Sequence, residues 1–177
     1  MTTLLNPQQL PDAESLLSIL ANELITYLKP NTAIVGIHSG GAWIAEQLTP
    51  LLRQSSPEHD LTLGVLDSSF YRDDYNQRGL HAETRPSQIP FDVEGKHILL
   101  IDDVFYTGRT IRAAMNELFD YGRPASITLA VLVNRGGREL PICPQIAALE
   151  LEVPQHQKLQ LSRDGNNRLH FTLEENA

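Results

Sequence analysis

Thirteen residues, Ile98 to Thr110 (ILLIDDVFYTGRT), hold the densest chemistry in this 177-residue chain. An apolar run meets two adjacent carboxylates, Asp102 and Asp103, and the turn Thr107-Gly108-Arg109-Thr110 opens the next amphipathic stretch. Carboxylates at the end of a buried strand accept hydrogen bonds from hydroxyls. Where a helix starts, the N–H groups of Gly108, Arg109 and Thr110 lack intrahelical partners. Together with the Thr hydroxyls and the helix dipole they form a cradle for one phosphate. A phosphate beside two hydroxyl acceptors describes a ribose 5-phosphate site. An isolated Asp-Asp or Thr-Gly is usually only a strand end and a helix cap, so the reading rests on their combination in a strand-to-helix context.

The elements that must hold these residues follow from periodicity. From Asp12, Leu16, Leu17, Leu20, Leu24 and Leu28 recur at helical spacing, with Asp12 as cap and Pro30 as stop. TAIVGI reads as a strand, the His38-Ser39-Gly40-Gly41 stretch as a tight loop, and AWIAEQLTPLL as a helix. A second strand is expected over Leu61–Asp67, a third over His97–Asp102, a helix from Ile111 to Gly122, and a further strand in SITLAVLV. Apolar strands alternating with helices of a dozen residues give an α/β fold with a mainly parallel central sheet flanked by helices. KLQLSR and RLHFTL, on either side of Asp164-Gly165, read as a C-terminal antiparallel hairpin. The polar stretch from Tyr71 to Pro90 is too long for a plain connection and is expected to be a lid.

Composition narrows the class. The length fits one domain over residues 1–177, and no apolar run approaches the ~18 residues that span a bilayer. The first residues carry no targeting pattern and the single cysteine, Cys143, can form no internal bridge, so a cytoplasmic setting is expected. Cys143 reads as an inert small hydrophobe and Trp43 as a core residue on a helix face. His59, His81 and His97 lack metal-ligand spacing. A formal charge of −8 repels polyanions over most of the surface.

The segment Ile98–Thr110 resembles the signature of the type I phosphoribosyltransferases, an apolar strand followed by Asp-Asp, a short variable stretch and Thr-Gly-x-Thr. DDVFYTGRTIRAAMNELFDYGRPASITLAVLVNRGGRELPI, together with FYRDD and IPFDVEGK upstream, is similar to the pyrimidine operon attenuator and uracil phosphoribosyltransferase (PyrR) family over about residues 10 to 145. The resemblance implies a type I phosphoribosyltransferase fold with a flexible lid and a C-terminal hood. It also implies transfer of a phosphoribosyl group from 5-phosphoribosyl 1-diphosphate (PRPP) to uracil, giving UMP and diphosphate.

Carried over residue by residue, the resemblance makes Asp102 and Asp103 the holders of the ribose hydroxyls. It places Tyr106, Thr107, Gly108, Arg109 and Thr110 along the PRPP 5-phosphate, with Val104 also in the PRPP site. His38, Ser39, Gly40 and Gly41 would form the diphosphate loop, with Arg72 on the lid as an anion contact and catalytic residue. Val133, Asn134 and Arg135 would border the base. Mg²⁺ would ride mainly on substrate oxygens rather than on a protein metal site. Without the resemblance, GIHSGG is an ordinary strand-to-helix turn, Arg72 pairs with Asp73 or Asp74, and Arg135 and Arg138 pair with Glu139 at the surface. The family commonly has Thr-Arg where this chain has Ser39-Gly40, and Asp where it has Asn134. A homo-oligomer is implied. RNA, the regulatory partner of family members, is not favoured by the scattered Lys and Arg residues or the charge of −8. The reading from a different class is a non-catalytic sensor of uridine nucleotide or PRPP that acts on RNA or a partner protein.

Overall fold

The computed structural model describes residues 10–67 and 86–175. Five strands, β1 (Thr32–Ile37), β2 (Thr62–Leu66), β3 (His97–Phe105), β4 (Ser126–Asn134) and β5 (Ile146–Glu150), form one parallel sheet in the order β2-β1-β3-β4-β5. Their side chains alternate between two separate cores because both faces are covered. Ile34, Leu99, Ile101, Ala130 and Leu132 face one core; Ala33, Val35, Leu100, Leu129 and Val131 face the other.

The first core is closed by α1 (Ala13–Leu24) and α2 (Gly40–Ser55). In α1, Leu16, Leu17, Leu20 and Leu24 are buried at helical spacing, and each such leucine contributes about 1.5–3 kcal/mol by leaving water. The Asp12 carboxylate caps the helix by accepting the Ser15 N–H at 3.0 Å. The helix stops earlier than its periodicity suggests, in a 3₁₀ turn over Ile25–Tyr27. Leu28 is already extended there, and Thr32 closes the turn by donating from Oγ1 to the Lys29 carbonyl at 2.8 Å. The second core is closed by α3 (Arg109–Asp120), through Ile111, Ala114 and Leu118.

Two differences from the sequence reading bear on the site. The strand carrying the carboxylates runs on to Phe105, so Asp102 and Asp103 lie inside β3 and not at its end. The cause is β4, which keeps pairing beyond them through Val104↔Val133 and Phe105↔Asn134. Strand β5 was not expected: its centre is Ala147 and Ala148, whose small side chains give no clear alternation, and it is specified by pairing with β4.

The hairpin β6 (Gln157–Arg163) and β7 (Leu169–Glu175) forms as expected, antiparallel and separate from the main sheet. Its connection is a five-residue loop in which the Asp164 carboxylate accepts the N–H groups of Asn166 at 2.8 Å and Arg168 at 2.9 Å. Leu159, Leu161, Leu169 and Phe171 plug the hairpin onto the first core beside α1.

Candidate active site

Strand order fixes where a ligand can sit. From β1 the chain moves to one side to form β2, while β3 lies on the other side of β1, so the β1/β3 boundary is a topological switch point. In open α/β sheets the crevice beyond the carboxyl ends of the strands at such a point is the binding place. Here that crevice is a cavity of about 480 Å³, lined by His38, Ser39, Gly40, Trp43, Asp102, Asp103, Val104, Tyr106, Thr110 and Arg135, and by Lys158–Leu161 of β6.

The carboxylates are held by their own strand. Asp102 is buried and its Oδ1 accepts the Asp103 N–H at 3.0 Å; Asp103 is half-buried and its Oδ1 accepts the Val104 N–H at 2.8 Å. Both remain acceptors for a ligand, since a carboxylate oxygen takes more than one donor.

Opposite them, the His38-Ser39 peptide is cis and α2 begins at Gly40, with Ser39 making no side-chain cap to its first turn. Glycines are required here by packing: a Cβ at Gly40 would lie 2.3 Å from Asp103 Oδ2, and one at Gly41 would lie 2.3 Å from the Ile101 carbonyl oxygen. Gly41 therefore seats the helix on β3 behind the cavity. The second helix start is built by Gly108, whose φ of 93° turns the chain into α3. Helix starts carry partial positive charge, so α2 and α3 place two anion-attracting ends beside the carboxylate pair.

The expected phosphate stretch divides in two. Tyr106 and Thr110 reach the cavity, while Thr107, Gly108 and Arg109 form the turn behind it. Thr107 Oγ1 accepts the Arg109 N–H at 3.2 Å, and the Thr107 carbonyl accepts the N–H groups of Glu139 at 3.0 Å and Leu140 at 3.2 Å. Arg109 Nε pairs with Glu139 Oε2 at 2.8 Å, so Glu139 is engaged by Arg109 and not by Arg135 or Arg138 as the surface reading had it.

Of the residues expected at the base, Val133 is fully buried in the sheet and Asn134 donates from Nδ2 to Glu150 Oε1 at 3.2 Å, so Arg135 alone of the three lines the cavity. Its guanidinium lies 4.0 Å from the Tyr106 ring centroid, and Nη2 donates to the carbonyls of Val153 at 3.2 Å and Pro154 at 3.1 Å. Burial holds this guanidinium below its ordinary pKa, opposed by Tyr106.

Trp43 is not simply a core residue: it lines the cavity and carries the Arg163 guanidinium 4.9 Å from its ring centroid. The hood contribution, Lys158–Leu161, also escaped the sequence reading, since only tertiary folding brings β6 over β3. Cys143, read as an inert small hydrophobe, is a free and exposed thiol. Arg72 and most of the expected lid, through residue 85, lie outside the described residues. Among the described residues no helix is long and apolar enough to cross a membrane.

A doubly covered parallel sheet whose switch-point crevice joins an Asp pair to a Thr-Gly-x-Thr helix start defines a phosphoribosyltransferase. The comparisons agree: the family model for the phosphoribosyl transferase domain matches residues 3–151. A purine phosphoribosyltransferase from Pyrococcus horikoshii superposes with a TM-score of 0.57 at 27% identity, covering 78% of this chain and 82% of its own. A hypoxanthine-guanine phosphoribosyltransferase from Bacillus anthracis shares the fold, with a TM-score of 0.61 at 14% identity over 85% and 84% of the two chains. The chain belongs to the phosphoribosyltransferase family and, within it, to the PyrR proteins. The Bifunctional protein PyrR of Pseudomonas fluorescens is 47% identical over 86% of this chain and 90% of its own, and that of Pseudomonas syringae pv. tomato is 45% identical over 86% and 89%.

Proposed function

We propose that this chain, acting as one unit over residues 1–177, transfers the phosphoribosyl group of PRPP to N1 of uracil, and that it also regulates pyrimidine genes as a second activity. The observation that carries the transfer reading is the single cavity in which the carboxylate pair, two helix starts and the hood strand converge. The second activity rests on the likeness to relatives named bifunctional.

In this reading Asp102 and Asp103 accept hydrogen bonds from the ribose 2- and 3-hydroxyls, and the start of α3 with Thr110 receives the 5-phosphate. His38, Ser39 and the start of α2 receive the diphosphate. As the bond from C1′ to diphosphate breaks, its electron pair leaves with diphosphate and the N1 lone pair of uracil forms the new bond; the N1 proton is released to water. No protein nucleophile is needed. The protein's share is orientation and a fixed electrostatic field around the developing charge. The carboxylates of Asp102 and Asp103 line the cavity and would help hold a divalent ion carried on the substrate. Mg²⁺ would supply charge neutralisation of the diphosphate.

For the base, β6 pairs with β7 alone among the described residues, and its other edge would offer main-chain donors and acceptors to the cavity beside Arg135. Uracil presents two carbonyl oxygens flanking N3–H, a pattern such an edge can complement. Steady-state UMP formation from PRPP and uracil, run beside adenine, guanine, hypoxanthine and orotate, tests the reading. Uracil-dependent diphosphate release is expected. No turnover with any base, while PRPP or UMP still binds, would replace the enzyme by the nucleotide-sensing regulator.

A further inference from the structure

The hood reaches over the cavity as a two-stranded hairpin, and a lone hairpin is marginal without outside support. Its apolar side chains plug into the core, yet the stretch that lines the cavity, Lys158–Leu161, lies between two polar anchors. At one end Arg135 bonds the carbonyls of Val153 and Pro154, just before β6. At the other, Arg163 closes β6 onto α2: its Nη1 meets Glu46 Oε2 at 3.0 Å and its guanidinium stacks 4.9 Å from the Trp43 ring centroid. Gln47 adds a bond from Nε2 to the Asn167 carbonyl at 3.0 Å.

Trp43, Glu46 and Gln47 stand at i, i+3 and i+4, one face of α2. That helix begins at Gly40, within the cavity wall, three residues before Trp43. The indole thus has two neighbours: cavity space and the cation that holds the hood.

We infer that Arg163, clasped by Trp43 and Glu46, is a positioning residue that sets the hood strand over the base end of the cavity and ties its position to α2. The inference rests on the phosphoribosyl-transfer reading for the identity of the base. Arg163 touches no reacting atom; it acts by fixing where the edge of β6 lies. A base that binds between the hood and the ribose therefore depends on the clasp, whereas PRPP, held by β3 and the two helix starts, does not. Lysine keeps the charge toward Glu46 but lacks the planar group that stacks on indole, so it restores the clasp only in part.

Arg163→Ala and Arg163→Lys are compared with the full-length wild type by steady-state kinetics and PRPP calorimetry. Arg163→Ala is expected to raise the KM for uracil about tenfold, a coupling typical of residues in one network, and to leave PRPP affinity within about twofold. Arg163→Lys should fall between the alanine variant and wild type. Amide exchange of β6 should quicken in the alanine variant while that of β1 does not. Emission from Trp43, the sole tryptophan, should change when its cation is removed. An unchanged uracil KM overturns the proposal, and so does an equal rise for uracil and PRPP accompanied by a lower Tm, since that is general destabilisation. Wild-type protein that forms no UMP would sink the transfer reading instead. The clasp would then stand or fall on β6 exchange and Trp43 emission, and no change in either overturns it.

Discussion

The cavity wall made by β3 and the starts of α2 and α3 is fixed by main-chain ladders on both sides of β3, to β1 and to β4. The facing wall, β6, has one paired edge and is slung between two arginines. A wall built into a sheet cannot shift without breaking many bonds at once, whereas one held by a few side chains adjusts at little cost. In the proposed reading the ribose phosphate end of the site is accordingly preformed, and the base end is set by contacts that single substitutions can remove.

The largest break expected is at the arginine that serves both walls. Arg135→Ala removes the Tyr106 stack and leaves the Val153 and Pro154 carbonyls without their donor, a loss of about 3 kcal/mol on chemical denaturation. An unchanged midpoint would mean that the hood does not depend on this anchor. Next in size, Asp103→Asn should weaken PRPP binding by about tenfold in calorimetry through poorer hydroxyl acceptance, with Tm unchanged because the Val104 N–H still finds a carbonyl oxygen. Equal PRPP affinity in the variant would move the ribose away from this carboxylate.

A smaller effect tests the sheet wall from behind. Glu117 on α3 is buried and accepts the Ser87 hydroxyl, while Ser87 Oγ accepts the Asp67 N–H at 2.8 Å; the contact joins α3 to the end of β2. Burial raises the Glu117 pKa above its ordinary 4.5, partly offset by the Ser87 bond, with Asp67 and Asp120 adding repulsion. Because the folded pKa is the higher, its favourable contribution is present below pH 4.5 and is lost as pH rises through the folded value. Glu117→Gln keeps an acceptor for Ser87 and removes that loss. Its Tm should exceed wild type by a few degrees at neutral pH, with the gap closing toward pH 4.5. The smallest effect is at α1. Hydrogen bonds from Ser15 hold the Asp12 carboxyl below its ordinary 3.8, so its contribution is present above that pH and lost as pH falls through the folded value. Asp12→Asn should lie slightly below wild type in Tm at neutral pH, with the gap closing as pH falls below 3.8.

The difference between the walls also explains what the sequence disclosed. The β3 wall was legible because its determinants are local: an apolar strand, two carboxylates and a Thr-Gly-x-Thr start lie within thirteen residues. The hairpin was legible as an element, but not as a lining, since its place over β3 is decided by Leu159, Leu161, Leu169 and Phe171 meeting α1 more than a hundred residues away in sequence. Without the family resemblance Arg135 reads as a surface residue, as arginines usually are, and its two carbonyl partners and the Tyr106 face make its burial tolerable. Trp43 fits a helical apolar stripe whether the stripe meets core or cavity. Gly40 and Gly41 read as anion-loop glycines, and their tighter requirement, contact with Asp103 and with the Ile101 carbonyl, appears only once α2 is laid on β3.

The partners of α1 set an order on how this chain leaves the ribosome. Leu16, Leu17, Leu20 and Leu24 share a core with Ile146, Leu159, Leu169 and Phe171, and the Glu14 carboxylate accepts the Leu169 N–H at 3.0 Å. The helix is therefore synthesised with an apolar face part of whose cover, Leu159, Leu169 and Phe171, follows more than a hundred residues later. At synthesis rates of about 5–20 residues per second that part of the face waits on the order of ten seconds, the interval in which a chaperone that shields amphipathic helices has the most to protect.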